Sequence, residues 1–357
     1  MKKLLLLLST LLIAVTETSF GNQPDMEKIP QNANWVAHVN FETFRSSEVG
    51  SFVLKEILKL PQMKQKLNGL KIGFGVDIDQ LGFVTAYGSG AKNEGVIFAK
   101  GGFNTKQLEG FASLNEKVEI KTVKGQKIYS SPKVAFSPLG PDSMIAATKE
   151  ELLKAGLNAR LGNNKKQKNN PILDRLNELV KKPIATITAQ IPNSFTFEKT
   201  EKVKRTETNT VKNEETGESE KITVTKVRKM EKPGRSISAT EQAIMEKLDW
   251  AGVALGESEA SIQIACVMNT EDIKTAEHME NILRGVSSLL SLSTDIGPLF
   301  QNDPKLNKII PHIKTSVSRK SRIVGMELEM DTAFLFEMIE QEMAKKRKGK
   351  ENSSIQE

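Results

Sequence analysis

Few side chains in this 357-residue chain have the type and spacing that chemistry demands. Three histidines (His38, His278 and His312) and a single cysteine, Cys266, are the candidate nucleophiles, bases and soft metal ligands. His38 lies in the alternating run Trp35-Val36-Ala37-His38-Val39-Asn40. Alternation groups it with Val36 and Asn40, so it reads as a sheet-face histidine, with a catalytic base as the alternative. His278 falls in a polar helical stretch and His312 follows Pro311, and nothing in the sequence links the three. No Gly-x-Ser-x-Gly elbow is present, and Ser89 sits in the Gly88-Ser89-Gly90 turn. A Ser–His–carboxylate set converges in space rather than in sequence, so it stays open at this point.

Metal and cofactor chemistry has little to stand on. One cysteine and three histidines argue against zinc or iron–sulfur binding, and no phosphate-binding Gly-x-x-x-x-Gly-Lys-Ser/Thr loop occurs. No cofactor is expected. Asp77 and Asp79 alternate after Gly75, but two carboxylates do not satisfy calcium, and a capped turn before a strand at Leu81 is the better reading. Cys266 lies in the apolar segment from Ser261 to Met268 and reads as a small buried hydrophobe. Trp35 and Trp250 each open a strand-like segment, where packing is the expected role and a sugar platform the alternative.

The beginning of the chain has an export pattern. Lys2 and Lys3 precede a short apolar run from Leu4 to Val15, followed by small residues, which predicts a signal peptide over 1–21 cleaved between Gly21 and Asn22. The expected location is periplasmic or extracellular. The apolar run is too short to span a bilayer comfortably, and no transmembrane helix is expected in the mature chain.

Charge points to surfaces. Net charge is +7, of which residues 1–21 contribute one unit. The window 198–235 holds eleven Lys/Arg and eight Glu, with threonine and valine alternating on either side of Asn213-Glu214-Glu215-Thr216-Gly217. Alternation and β-branched content predict a two-stranded ribbon with a polar tip. Lys202, Lys204, Arg205, Lys226, Arg228 and Lys229 are its candidate binding residues. A second basic cluster runs from Lys345 to Lys350, into a tail over 346–357 expected to be disordered. Outside the cytoplasm such charge suits a protein or an anionic envelope component. Nucleic acid is set aside, because aromatic residues for base stacking are not interleaved with the basic ones.

The elements that would position these residues repeat. Leu81 to Gly88, a Gly-Ser-Gly turn, Gly95 to Lys100 and an Asn104-Thr105 helix start recur as Trp250 to Gly256, a Glu-Ser-Glu turn, Ser261 to Met268 and Asn269-Thr270. Leu108, Phe111 and Leu114 in the first copy, and Ile273, Ala276 and Ile282 in the second, have the spacing of a helix face buried on a sheet. A helical stretch over 41–67 follows the His38 strand, and a helix over 172–180 precedes its counterpart, Ile184 to Ala189.

The expected fold class is therefore α+β: two repeated units, each an antiparallel sheet with helices packed on one face, plus a charged β-ribbon in the second. The first unit spans 30–160, a polar linker 161–171, and the second unit 172–345 with the ribbon inserted over 198–235. In its signal peptide, its Asn34-Trp35-Val36-Ala37-His38-Val39-Asn40 opening and its repeated hairpin–helix, the chain resembles a broad group of exported bacterial proteins with a duplicated α+β domain. That resemblance implies a fold and brings no catalytic residues. The expected function is a non-enzymatic extracytoplasmic binding or scaffold protein. The alternative is a hydrolase or ligand-binding enzyme with its site between the repeats.

Overall fold

The structure, a computed structural model, describes residues 23–162, 170–191, 200–212, 219–231, 246–296 and 309–341. The signal segment with Gly21 and Asn22, the middle of the polar linker and the basic tail lie outside the described residues. The chain divides into two compact units, one formed by Met1–Gln190 with Asp249–Glu357, the other by Ile191–Leu248.

The larger unit opens with β1 (Trp35–Asn40), which runs straight into helices. The single helical stretch expected over 41–67 is three helices: α1 (Phe41–Ser46), α2 (Glu48–Leu58) and α3 (Pro61–Phe74). The breaks have local causes. The Asn40 side chain accepts from Thr43 N–H to start α1, and the Ser47 hydroxyl accepts from Gly50 N–H to restart the chain as α2. Pro61 then begins α3, where its missing N–H costs nothing, and Gly75 ends it at φ +65°.

The rest of the first half is β2 (Val76–Gly88), β3 (Val96–Phe103), α4 (Thr105–Ser113), β4 (Glu119–Val123), β5 (Gln126–Ser130), β6 (Ala135–Pro138), β7 (Ser143–Ala147) and α5 (Glu150–Arg160). The second half brings α6 (Pro171–Leu179), β8 (Pro183–Gln190), the ribbon strands β9 (Thr200–Lys212) and β10 (Ser219–Glu231), β11 (Leu248–Ser258), β12 (Ser261–Thr270), α7 (Ile273–Ile296), β13 (Ile313–Lys320) and β14 (Ile323–Asp331). A final described helix, α8, covers 332–341, its first amides bonded to the Asp331 carboxylate.

The two sheets expected from the sequence are one. Twelve antiparallel strands run in the order β13-β14-β12-β11-β8-β1-β2-β3-β7-β6-β5-β4. The halves join where β1 pairs with β8, with Trp35 opposite Ala189 and Val39 opposite Ala185.

Helices cover both faces of this sheet, which corrects the expectation of one helical face. On the His38 face, α5 packs Leu153 and Leu157 against Val96, Ile128 and Ile145, and α6 packs Ile172 and Leu176 against Ala254 and Val267. On the opposite face, Phe41 and Phe44 of α1 meet Val39, Val84 and Ala99, and α7 lies over β13, where Ser287 bonds Thr315. Pro183, Ile184, Ala185 and Thr186 are buried consecutively, the signature of a strand covered on both sides.

Two expected helix faces are also corrected. On α4 the residues that pack are Thr105 and Ala112, while Phe111 is 46% and Leu114 83% exposed. On α7 Ala276 is buried as expected, together with Met279, while Ile273 and Ile282 are exposed. That helix starts at Asp272, whose carboxylate accepts from Thr275 N–H, rather than at Asn269-Thr270.

Candidate functional site

His38 sits at the seam of the halves, opposite Thr85 of β2 and Thr186 of β8. It is 2% exposed, its Nδ1 lies 2.9 Å from the Thr85 hydroxyl, and its ring tilts against Phe83 at 5.4 Å. Val36 and Asn40 are buried on the same face, as alternation predicts. Hydrogen-bonded to Thr85, packed on Phe83 and 2% exposed, this ring is closed off from solvent. His312 stacks on Phe334 with ring centroids 3.6 Å apart, and His278 lies on the exposed side of α7, so the three histidines do not converge.

The remaining candidates resolve into structure. The Asp77 carboxylate accepts from Asp79 N–H at 3.1 Å and pairs with the Lys71 ammonium at 2.6 Å. Both aspartates belong to β2, which starts at Val76 and is irregular between Val76 and Phe83, rather than to a turn before Leu81. No cluster of three His, Cys, Asp or Glu occurs among the described residues. Cys266 is half-buried in β12 opposite Met326, and burial pushes its thiol pKa up, away from nucleophilic use. Trp35 packs beside Gly88 and Gly95, and Trp250 lies against the α6 core cluster.

Among the described residues, two shallow surface grooves stand out. One, of about 490 Å³, is lined by Arg45, Ser51, Leu54, Lys55, Leu58 and Lys59; the other, of about 210 Å³, lies along β13 and β14 beside Lys314, Glu327 and Glu329. His38 lines neither.

The ribbon forms as the alternation predicts. β9 and β10 pair antiparallel without a register shift, from Ser219 opposite Lys212 to Glu231 opposite Thr200. Period-two geometry then sorts the sequence into two faces. One carries Lys202, Lys204, Lys212, Lys221 and Lys229 with Glu231 as the only acid, among six threonines. The other balances Arg205, Lys226 and Arg228 against Glu201, Glu207 and Glu220, with five apolar positions between them. The six candidate basic residues are thus divided: Lys202, Lys204 and Lys229 share the cationic face, and Arg205, Lys226 and Arg228 share the mixed one.

One surface went unforeseen. α3 has no buried residue, and exposed apolar side chains gather at its end: Leu70, Ile72, Phe74 (54% exposed) and, on α4 and just beyond it, Phe111 and Leu114. Phe74 and Phe111 meet with ring centroids 5.9 Å apart. The signal available in the sequence was the run 55–74, which carries five lysines and one glutamate between its apolar residues.

None of the described helices is long and apolar enough to cross a membrane. No family model matches the chain, and no curated protein matches it. Among solved structures, the chain is similar to crystal form III of TP0453, with a TM-score of 0.45 and 8% identity over 89% of this chain and 99% of that one. Crystal forms IV and I of TP0453 give TM-scores of 0.44 and 0.43, each at 9% identity over 88% of this chain and 95% of that one. With no family assigned by these comparisons, any account of function rests on the chain's own surfaces.

Proposed function

We propose that the protein is exported and acts as a non-enzymatic binding or scaffold protein, in the periplasm or outside the cell, with the ribbon as a contact surface for a protein or an anionic envelope component. The observation that carries this reading is the ribbon's register. It collects five lysines against one glutamate on one face, in a segment that forms a compact unit of its own. A bare two-stranded ribbon is marginal in water, so a surface that holds it in place adds to its stability. Lysines concentrated in one segment raise the local potential and steer anionic partners.

The same reading includes an internal duplication. Strand order outward from the seam supports it: β1, β2, β3, β7, β6 on one side and β8, β11, β12, β14, β13 on the other. In both halves the third of these strands leads into a helix, α4 or α7.

The test is affinity capture from the native envelope fraction. The baits are the chain from Asn22, the same chain lacking 198–235, and a variant with Lys202, Lys204, Lys212, Lys221 and Lys229 changed to Gln. The expected result is one component enriched by the first bait and lost from both others. Identical capture by all three baits sinks the ribbon reading.

A further inference from the structure

We infer that α2, α3 and the end of α4 form a membrane-contact surface that lies on an anionic phospholipid bilayer without crossing it. This deepens the envelope-contact reading above, but it uses a different part of the chain from the ribbon.

Helix α3 is the starting point. A helix in a folded unit ordinarily owes its stability to a buried face, yet no residue of α3 is buried. Gly69 and Gly73 weaken it further, and a Cβ at either position would meet nothing within 4 Å. Four of its five apolar residues nonetheless have a helical pattern: Met63, Leu67, Leu70 and Phe74 fall four, three and four apart on one face, the first two half-buried, while Ile72, 78% exposed, lies on the opposite side. Lys64 and Lys71 flank that face on one side and Lys66 on the other. Phe111 and Leu114 of the α4 end extend it, joined through the Phe74–Phe111 contact.

Charge decides the occupant. Over 55–74 there are five lysines and one glutamate, and α3 itself carries no acid; Lys59 pairs with Glu56 and Lys71 with Asp77, so the positive excess rests on Lys55, Lys64 and Lys66. The 490 Å³ groove over α2 adds Arg45 to Lys55 and Lys59 beside Leu54 and Leu58. Two copies of so basic a surface repel each other, which disfavours self-association. An interfacial helix on an anionic leaflet has the same composition: apolar side chains entering the headgroup boundary, with lysines on both flanks extending their ammonium groups to phosphates. Phe74 and Leu114 are the residues that would enter deepest.

The experiment is co-sedimentation of the chain from Asn22 with vesicles of mixed phosphatidylglycerol and phosphatidylcholine, and with pure phosphatidylcholine vesicles. Two double variants are run beside it, Phe74→Ser with Leu114→Ser and Lys64→Glu with Lys66→Glu, together with the ribbon Lys→Gln variant described above. Lys64, Lys66 and Phe74 on α3 and Leu114 just past α4 are all exposed, and an unchanged thermal melt shows that each variant folds. The expected result is binding to the anionic vesicles that high salt weakens and that each double variant lowers at least tenfold, with the ribbon variant unaffected. Equal binding by wild type and both double variants overturns the inference, as does equal binding to both kinds of vesicle. If only the ribbon variant loses the vesicles, the ribbon reading survives and the helix surface fails. A dimer that Phe74→Ser with Leu114→Ser dissolves, with no vesicle binding, assigns the patch to a second copy and overturns it as well.

Discussion

The α2 N-terminus is tied to the far half of the chain by one side chain. Both oxygens of the Glu257 carboxylate, at the end of β11, accept from the first amides of α2: Glu48 N–H at 2.7 Å and Val49 N–H at 2.9 Å. These are two of the donors that a helix start leaves without a backbone partner, and Ser47 serves the next through Gly50 N–H. A hydrogen bond to a charged group contributes about 1.5–3 kcal/mol when buried, and an anion at a helix start adds about 0.3–1 kcal/mol. One of the two bonds is exposed, so the pair together is discounted to about 2 kcal/mol for Glu257→Ala. Glu257→Gln keeps one acceptor oxygen and loses the charge, for about 1 kcal/mol. The assay is urea unfolding followed by circular dichroism. The midpoint should fall for both variants with the slope unchanged, more for Ala than for Gln, and the Gln deficit should shrink in high salt. A Glu257→Ala midpoint within experimental scatter of wild type would refute the reasoning.

Two further outcomes follow from local geometry and charge. Gly102 has φ +68°, and a Cβ there would lie 2.2 Å from the Asp77 carbonyl oxygen, so Gly102→Ala should cost about 3 kcal/mol or more and show as a lowered thermal midpoint, whereas Gly110→Ala on α4, with open space around it, should not. Hydrogen bonds from Lys154, then Lys121 and Ser130, hold the Glu150 carboxyl pKa at about 2 against an ordinary 4.5. Because the folded value is the lower, this carboxylate stabilises the fold above its unfolded pKa and loses that contribution as pH falls from about 4.5 toward 2. Glu150→Gln should flatten the acid limb of stability over that window in urea titrations at stepped pH.

Local signals were read well. The hairpins β2–β3 and β11–β12, the cap at Asn104 and the ribbon all follow from residues close together in the chain, where glycine, asparagine and alternation act directly on the backbone. Long-range pairing was not legible, because β1 meets β8 through main-chain groups that every residue carries. That is why two expected sheets are one, and why the second helical layer went unseen. β7 (Ser143–Ala147), short and rich in alanine, carries too little β-branched content to stand out, although Ile145 at its centre is fully buried. Phe111 and Leu114 illustrate a general limit: apolar spacing shows that a helix has a greasy face, but not whether anything in the same chain covers it. His38 fits both readings until its neighbours are known, since a core histidine and a catalytic one have the same local sequence pattern.

The seam has a consequence for the order in which the chain acquires its shape. β1 lies in the middle of the sheet, yet its second neighbour is β8, so Trp35 waits for Ala189. Emerging N-terminus first, the chain delivers β2 to β7 and α5 before β8, and until β8 arrives the first half presents β1 as an open edge between two apolar faces. Such an edge is a template for any strand, including β1 of another nascent chain. Closing it requires a long-range contact, the kind that slows folding. The Glu257 cap on α2 arrives later still, with β11. The central strand is therefore among the first elements made and among the last completed, which makes assembly of this sheet a process that closes inward from both halves to the seam.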